Sequence, residues 1–323
     1  EVGKAIYGLV TAGFAHRIGK SQARRASAVG EARADEHRNL GVAFYKTEML
    51  DEATREFRRV VELRPTDGTA YFHLGLIALK QAHWEAAAAY FSQAVDHAGA
   101  RPNVLANLAL AYEKSGRFEE ADGAYAEAAA LAPRDVKILT GWGIGALHRG
   151  DFDAAIGRLD EARHVAGRAT LSPLWYWARS LGAAALNHLS DAERLLREGL
   201  KAHPGHVVLA NNLAAVLEAR GEMEPAADVL RDALTDDLAV PQLSKNLGDL
   251  LYRSARYDDA WEAYQRAVRQ QPSLGDDVYF KLGNIAYKRQ DRGLAREYWN
   301  RALELNPNHE LARTNLETVS ALG

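Results

Sequence analysis

Asn39 to Pro65 reads NLGVAFYKTEMLDEATREFRRVVELRP, and its key residues return down the chain at a fixed step of 34 residues. Leu40-Gly41 comes back as Leu74-Gly75, Leu108-Ala109 and Trp142-Gly143; Ala53 as Ala87, Ala121 and Ala155; Phe57 as Phe91, Tyr125 and Leu159. A repeat this regular settles the architecture before local propensity does, because one small unit is copied and each copy buries its apolar face against the next.

Extending the period outward, with Leu-Gly as positions 7 and 8, gives eight units: 34–67, 68–101, 102–135, 136–169, 173–206, 207–240, 241–274 and 276–309. Within a unit, positions 4, 7, 8 and 11 form an i, i+3, i+4, i+7 stripe on a first helix, and positions 20, 24 and 27 form another on a second. Small residues at 8, 20 and 27 let the helices approach closely, and the aromatic at 24 fills the wedge between hairpins. Asp51, Asp151 and the capping box Ser190-Asp191-Ala192-Glu193 are expected to open second helices; Pro65, Pro133, Pro204, Pro272 and Pro307 close them. The second unit offers Gly99 in place of its proline and the sixth ends at Leu238 with Asp236-Asp237 in the turn, so looser joints are expected at both. The insertion running from Val165 to Pro173 predicts a longer connection or an extended second helix.

This pattern resembles the tetratricopeptide repeat family, whose units carry a bulky residue at 4, Leu at 7, Gly or Ala at 8, Ala at 20, an aromatic at 24, Ala at 27 and Pro at 32. The eighth unit reads Tyr279, Leu282, Gly283, Ala286, Ala295, Trp299, Ala302, Pro307, and the seventh Ser244, Leu247, Gly248, Leu251, Ala260, Tyr264, Ala267, Pro272. The third reads Leu105, Leu108, Ala109, Tyr112, Ala121, Tyr125, Ala128, Pro133. The resemblance implies an all-α fold: an α-solenoid of eight helix hairpins in a right-handed superhelix. Residues 310–323 restart a first helix, Asn315-Leu316 matching Asn39-Leu40, and are expected to cap the last apolar face.

Residues 1–33 stand outside the array and are basic, with Lys4, Arg17, Lys20, Arg24, Arg25 and Arg33 against Glu1 and Glu31. A solvated linker explains that charge; attraction to a polyanion is the alternative. Val2, Ile6, Leu9 and Val10 at helical spacing, then Gly13 and the alternating Phe14 to Ile18, resemble the tail of a winged-helix module in bacterial PATAN-type regulatory proteins. We expect the segment to dock on the array or to mark a domain upstream of Glu1. Gly13 to Ser21 imitates a phosphate-binding loop with five residues between its glycines where four are needed.

Composition narrows the function classes. The chain is 47% apolar and 26% charged, and no apolar run reaches the roughly 18 residues of a membrane span. The absence of cysteine excludes disulfides and thiolate metal sites and fits a reducing, cytoplasmic compartment. No nucleophile elbow or HExxH motif occurs, and the histidines are scattered over many units. His203-Pro-Gly-His206 reads as an inter-repeat turn, and the glycines of Gly141-Trp-Gly-Ile-Gly145 are accounted for by helix packing around Gly143. Neither an enzyme, a cofactor nor a metal site is therefore expected, and the array is not expected to bind nucleic acid.

Function is expected on the face carrying first-helix positions 2, 5, 6, 9, 12 and 13. Position 6 is asparagine in four units: Asn39, Asn107, Asn212 and Asn246. In family members similar to the O-linked N-acetylglucosamine transferase superhelix, such asparagines form a ladder along an extended peptide. An amide offers a donor and an acceptor in one plane, matching a peptide unit whatever its side chain. The alternative is that these asparagines only stabilise their hairpins. Phe72, Trp177 and Phe280 at position 5, with Tyr252 and Tyr287 at position 12, would add aromatic anchors; of the run Trp175-Tyr176-Trp177, Tyr176 belongs to the core and its neighbours are candidates. Lys245, Arg253, Lys281 and Lys288 could receive a carboxylate or an acidic segment. Val42 stands where the family's dicarboxylate clamp has its first asparagine, so a chaperone C-terminal tail is not expected. The reading is a scaffold or adaptor for an extended protein segment; the alternatives are the sensory part of a regulator with an upstream winged-helix domain, or a self-associating structural subunit.

Overall fold

The structure, a computed structural model, describes residues 30–234 and 240–321, and among these there is no strand. The winged-helix and phosphate-loop segments fall outside the described residues, as does the Asp236-Asp237 turn. The chain divides into two compact units, Glu1–Ala166 and Gly167–Gly323. The first holds α1 (30–46), α2 (Leu50–Leu63), α3 (Gly68–Lys80), α4 (Trp84–Ala98), α5 (Pro102–Lys114), α6 (Phe118–Leu131), α7 (Val136–His148) and α8 (Phe152–Ala166). The second holds α9 (Pro173–Ala185), α10 (Leu189–Ala202), α11 (Val207–Ala219), α12 (Met223–Ala233), α13 (Pro241–Arg253), α14 (Tyr257–Gln270), α15 (Asp276–Lys288), α16 (Arg292–Leu305) and α17 (Glu310–Ala321). Each unit is a row of helix hairpins, closed in the second by α17.

The packing follows the repeat. The alanines at position 20, from Ala53 to Ala295, are at most 3% exposed. Position 8 receives the side chain at position 24: a Cβ on Gly75 would sit 2.6 Å from Phe91, on Gly248 2.6 Å from Tyr264, and on Gly283 2.5 Å from Trp299. Those rings are themselves nearly or fully buried, each worth about 1.5–3 kcal/mol of apolar transfer. Ser180 takes the same slot in α9, buried, its hydroxyl donating to the Trp177 carbonyl at 2.9 Å. The three glycines of α7 have separate reasons: Gly141 abuts Tyr125, Gly143 abuts Leu159, and Gly145 leaves room for Glu113.

Helix ends match the sequence except at one kind of turn. α2, α6, α10, α14 and α16 stop two residues before Pro65, Pro133, Pro204, Pro272 and Pro307, and Gly99 ends α4 at φ +80°. Asp151 caps α8 through the Ala154 amide, 3.1 Å. Asp51 and Ser190, however, lie inside their helices, whose N-caps are Met49 and His188 with no side-chain cap bond. The reason is the preceding turn. Position 15 of every repeat has positive φ, at Glu48, Ala82, Gly116, Gly150, Asn187, Gly221, Ala255 and Gln290. The amide after it bonds five residues back, as in His83 to Ala78 (2.9 Å) and Arg256 to Leu251 (2.9 Å), and this Schellman closure fixes where the second helix starts. After α8 the connection is six residues long, and it buries Leu171 and caps α9 with Ser172.

Candidate functional site

Neighbouring first helices meet through the expected positions. In the second unit the Asn246 amide donates to Asn211 Oδ1 at 2.6 Å, Lys281 reaches Asp249 at 2.5 Å, and Lys245 reaches Asp277 at 2.8 Å. In the first unit, His148 Nδ1 bonds the buried Glu113 carboxylate. These residues occupy positions 2, 5, 6, 9, 12 and 13 of their repeats, so within each unit neighbouring first helices touch through those positions.

The asparagines divide into two kinds. Asn107 and Asn212 each donate Nδ2 to the carbonyl four residues back in their own helix, Asn103 at 2.6 Å and Val208 at 2.7 Å. Each Oδ1 has no hydrogen-bond partner among the described residues and can accept from an incoming amide. Asn39 is exposed. Asn246 is consumed internally, donating to Asn211 and accepting from Gln242 Nε2 at 2.9 Å. Its partner at that step, Asn211 at position 5, is a residue that sequence spacing does not single out.

The aromatics are also unequal. Phe72 is half-buried against Phe91 and His73, and Trp177 is half-buried, whereas Trp175 is a core residue, 2% exposed. Phe280 lies 4.7 Å from the His309 ring. Tyr252 and Tyr287 belong to a single cleft of about 350 Å³ with Trp299, Lys288, Asn284, Asn315, Thr318 and Val319. Asn284 organises it: its Oδ1 accepts from Trp299 Nε1 and from Asn315 Nδ2, both at 3.1 Å, and its Nδ2 donates to the Tyr252 hydroxyl at 3.3 Å. One amide thus ties α13, α15, α16 and α17 together and holds Tyr252 in the cleft.

The four cations have internal partners. Lys245 and Lys281 share Asp249 and Asp277, Arg253 pairs with Glu218, and Lys288 sits 4.5 Å over the Tyr257 ring. Burial raises the Asp249 carboxyl, but the Lys281 ammonium and the Tyr264 hydroxyl (2.7 Å) outweigh it and hold the group below its usual range. The Tyr264 phenol is pushed up, by burial first and by Asp249 next. Burial lowers Lys245, yet the hydrogen bond to Asp277 and the charge of Asp249 leave it raised. The cluster is a neutralised lattice of alternating charge. Beside it a hollow of about 150 Å³ is lined by Asn211, Asn246, Asp249, Glu218 and Arg253. His203 and His206 are likewise engaged, with the Leu171 carbonyl at 2.7 Å and the Leu209 amide at 3.4 Å.

Two family models described as tetratricopeptide repeat match the chain, one at residues 102–135 and 276–309, the other at 38–104 and 178–242, together more than half of it. The chain belongs to the tetratricopeptide repeat family. A solved tetratricopeptide repeat protein from Parabacteroides merdae superposes with a TM-score of 0.55 at 14% identity, covering 90% of this chain and 99% of that one. The Cut9–Hcn1 structure gives 0.52 at 16% identity, covering 84% of this chain and 52% of that one. Among curated relatives, cellulose synthase 2 operon protein C of Komagataeibacter xylinus is 29% identical over 87% of this chain but 19% of its own length. The human protein O-mannosyl-transferase TMTC1 is 24% identical over 69% of this chain and 21% of its own length. Type IV pilus assembly protein PilF of Pseudomonas aeruginosa is 29% identical over 41% of this chain and 53% of its own length. The chain thus spans from about a fifth to about half of the length of these relatives. Tetratricopeptide repeat arrays are generally non-catalytic protein-interaction scaffolds, and family membership supports that class here. No described helix is long and apolar enough to cross a membrane.

Proposed function

We propose that this tetratricopeptide array is a non-enzymatic scaffold or adaptor that holds an extended protein segment along its first-helix face. The observation that carries this reading is the pair of Oδ1 acceptors at Asn107 and Asn212, without a partner among the described residues and each fixed by its own Nδ2 bond to the helix. Acceptors held in place cost little ordering entropy when a peptide N–H arrives, and backbone pairing is indifferent to side chain. The cleft of Tyr252 and Tyr287 supplies an anchor, since rigid aromatics beside a hollow suit one apolar side chain of the segment. Because Lys245, Lys281 and Arg253 already have carboxylate partners, an acidic segment would have to displace Asp249, Asp277 or Glu218, so the segment is read as neutral or mixed in charge. The test is affinity capture of partners from native extract with the wild-type chain and with the Asn107→Ala, Asn212→Ala variant. Loss of the captured set supports the reading; unchanged affinity for every partner refutes it.

A further inference from the structure

The first helix of the fifth repeat differs from its counterparts. In α9, positions 2, 5, 6, 9, 12 and 13 are Leu174, Trp177, Ala178, Leu181, Ala184 and Ala185, and in each of the other seven repeats at least one of these positions is charged. The one charged residue of α9, Arg179 at position 7, bonds Asp191 of α10 at 3.1 Å. Leu174 is 53% exposed and Leu181 38%, with Trp177 half-buried between them. Their i, i+3, i+7 spacing sets the three in one stripe about 10 Å long. Val208, 48% exposed, holds on α11 the position that Leu174 holds on α9, and the two helices pack side by side. Exposed apolar side chains on a protein surface are ordinarily scattered singly, and a contiguous group marks a contact surface.

Asn212 indicates what covers the stripe. It stands one turn from Val208 on α11, and its Nδ2 donates to the Val208 carbonyl at 2.7 Å, which holds the Oδ1 acceptor next to the apolar group. A helical partner has its interior N–H groups spent on its own carbonyls. An extended segment brings N–H groups that can meet such an acceptor, and it points alternate side chains to one side at steps of about 6.5–7 Å, so two of them fit within the stripe. A charged side chain laid there would lose its hydration with no opposite charge on α9 to meet it.

We infer that the α9 stripe and Val208 hold an uncharged stretch of an extended partner segment, with two bulky apolar side chains at alternate positions and a backbone N–H on Asn212 Oδ1. The inference rests on the scaffold reading and names the chemistry of the segment that the scaffold takes.

The probe is a phage-displayed library of random dodecapeptides selected against the full chain; the most enriched sequence is then made as a capped synthetic peptide and titrated by calorimetry. The expected consensus is an uncharged run with two bulky apolar residues two positions apart. Leu174→Ser and Leu181→Ser, at exposed sites whose replacement leaves the core untouched, should each weaken that peptide about five- to twentyfold, the worth of one exposed leucine covered by the partner. No enrichment, enrichment of charged sequences alone, or an affinity unchanged in both leucine variants would overturn the inference. So would a peptide that circular dichroism shows to bind as a helix, or a concentration-dependent dimer that Leu174→Ser dissolves, since a second copy would then be the occupant. The Asn107→Ala, Asn212→Ala chain separates this inference from the reading beneath it. Weaker peptide binding there with the leucine variants unaffected overturns the apolar site alone. Weaker binding in the leucine variants with the asparagine variant unaffected upholds the apolar site and refutes the asparagine ladder.

Discussion

Replacing Ala82 and Ala255 by glycine should stabilise the protein. Both residues sit at position 15 with φ +58°, in the turn between the helices of their hairpins. A left-handed conformation costs an L-residue about 1–2 kcal/mol through crowding of Cβ against the following carbonyl. Glycine removes that strain but gives the unfolded chain more freedom, worth about 0.4–1 kcal/mol in the other direction. The net gain is about 0.5–1 kcal/mol at each site. The two sites lie in different compact units and should add. For units of this size each change should raise the midpoint of thermal unfolding by about 1–4 °C. Alanine is the right residue to change, since Glu48 at the same position holds Lys80 at 2.6 Å and would lose that pair. The assay is thermal unfolding followed by circular dichroism, with Gly116→Ala and Gly221→Ala as reciprocal controls at φ +77° and +81°. Those should lower the midpoint by a similar amount. A fall for the alanine-to-glycine pair, or no change in either direction, would refute the claim that position 15 stores strain.

Asp249→Asn should destabilise the second unit by about 1–3 kcal/mol at neutral pH, because the Lys281 ammonium and the Tyr264 hydroxyl lose a charged acceptor; urea unfolding measures it. Since the folded-state pKa of Asp249 lies below its unfolded value of about 3.9, its stabilisation is present above that pH and is lost as pH falls through the depressed value. The gap between wild type and variant should therefore narrow on acidification, and a gap that widens would contradict the assignment. Gly283→Ala should cost about 1–3 kcal/mol despite alanine's helix preference, because its Cβ would meet the buried Trp299 at 2.5 Å, whereas Gly123→Ala, with open space, should gain about 1 kcal/mol; chemical unfolding separates the two. Asn284→Ala should strand the Trp299 Nε1 and loosen Tyr252, visible as a red shift of tryptophan fluorescence along with a stability loss of about 1–3 kcal/mol.

The helical architecture was legible because repetition averages out local noise: Leu74, Ala53 and Phe57 each recur as a type, and types set the packing, while Leu40 in the first repeat stays exposed. What the period does not carry is anything fulfilled by unlike residues. Position 15 is Glu, Ala, Gly, Asn or Gln, so its common backbone geometry leaves no pattern, and the cap expected at Ser190 lies two residues past the true one, His188, for that reason. Among the site residues, the spacing assigned Asn107, Asn212, Tyr252 and Tyr287 to first-helix positions but could not say which polar groups would pair across hairpins. Asn246, Lys245 and Lys281 are engaged by Asn211, Asp249 and Asp277. One signal was available and overlooked. Position 9 is polar, Asp249 or Asn284, in the two repeats whose position 24 has a bonded polar tip, Tyr264 or Trp299. It is apolar, Val42 or Leu76, where position 24 is Phe57 or Phe91.

The measurement that bears most directly on the scaffold reading is a quantitative comparison, by affinity capture and mass spectrometry, of partners held by the wild-type chain and by chains altered at Asn107 and Asn212 or at Tyr252 and Tyr287. The account predicts that a defined partner retained by the wild type is lost from both variants while their folds stay intact. An unchanged partner set on both would contradict it and move the binding surface off the first-helix face.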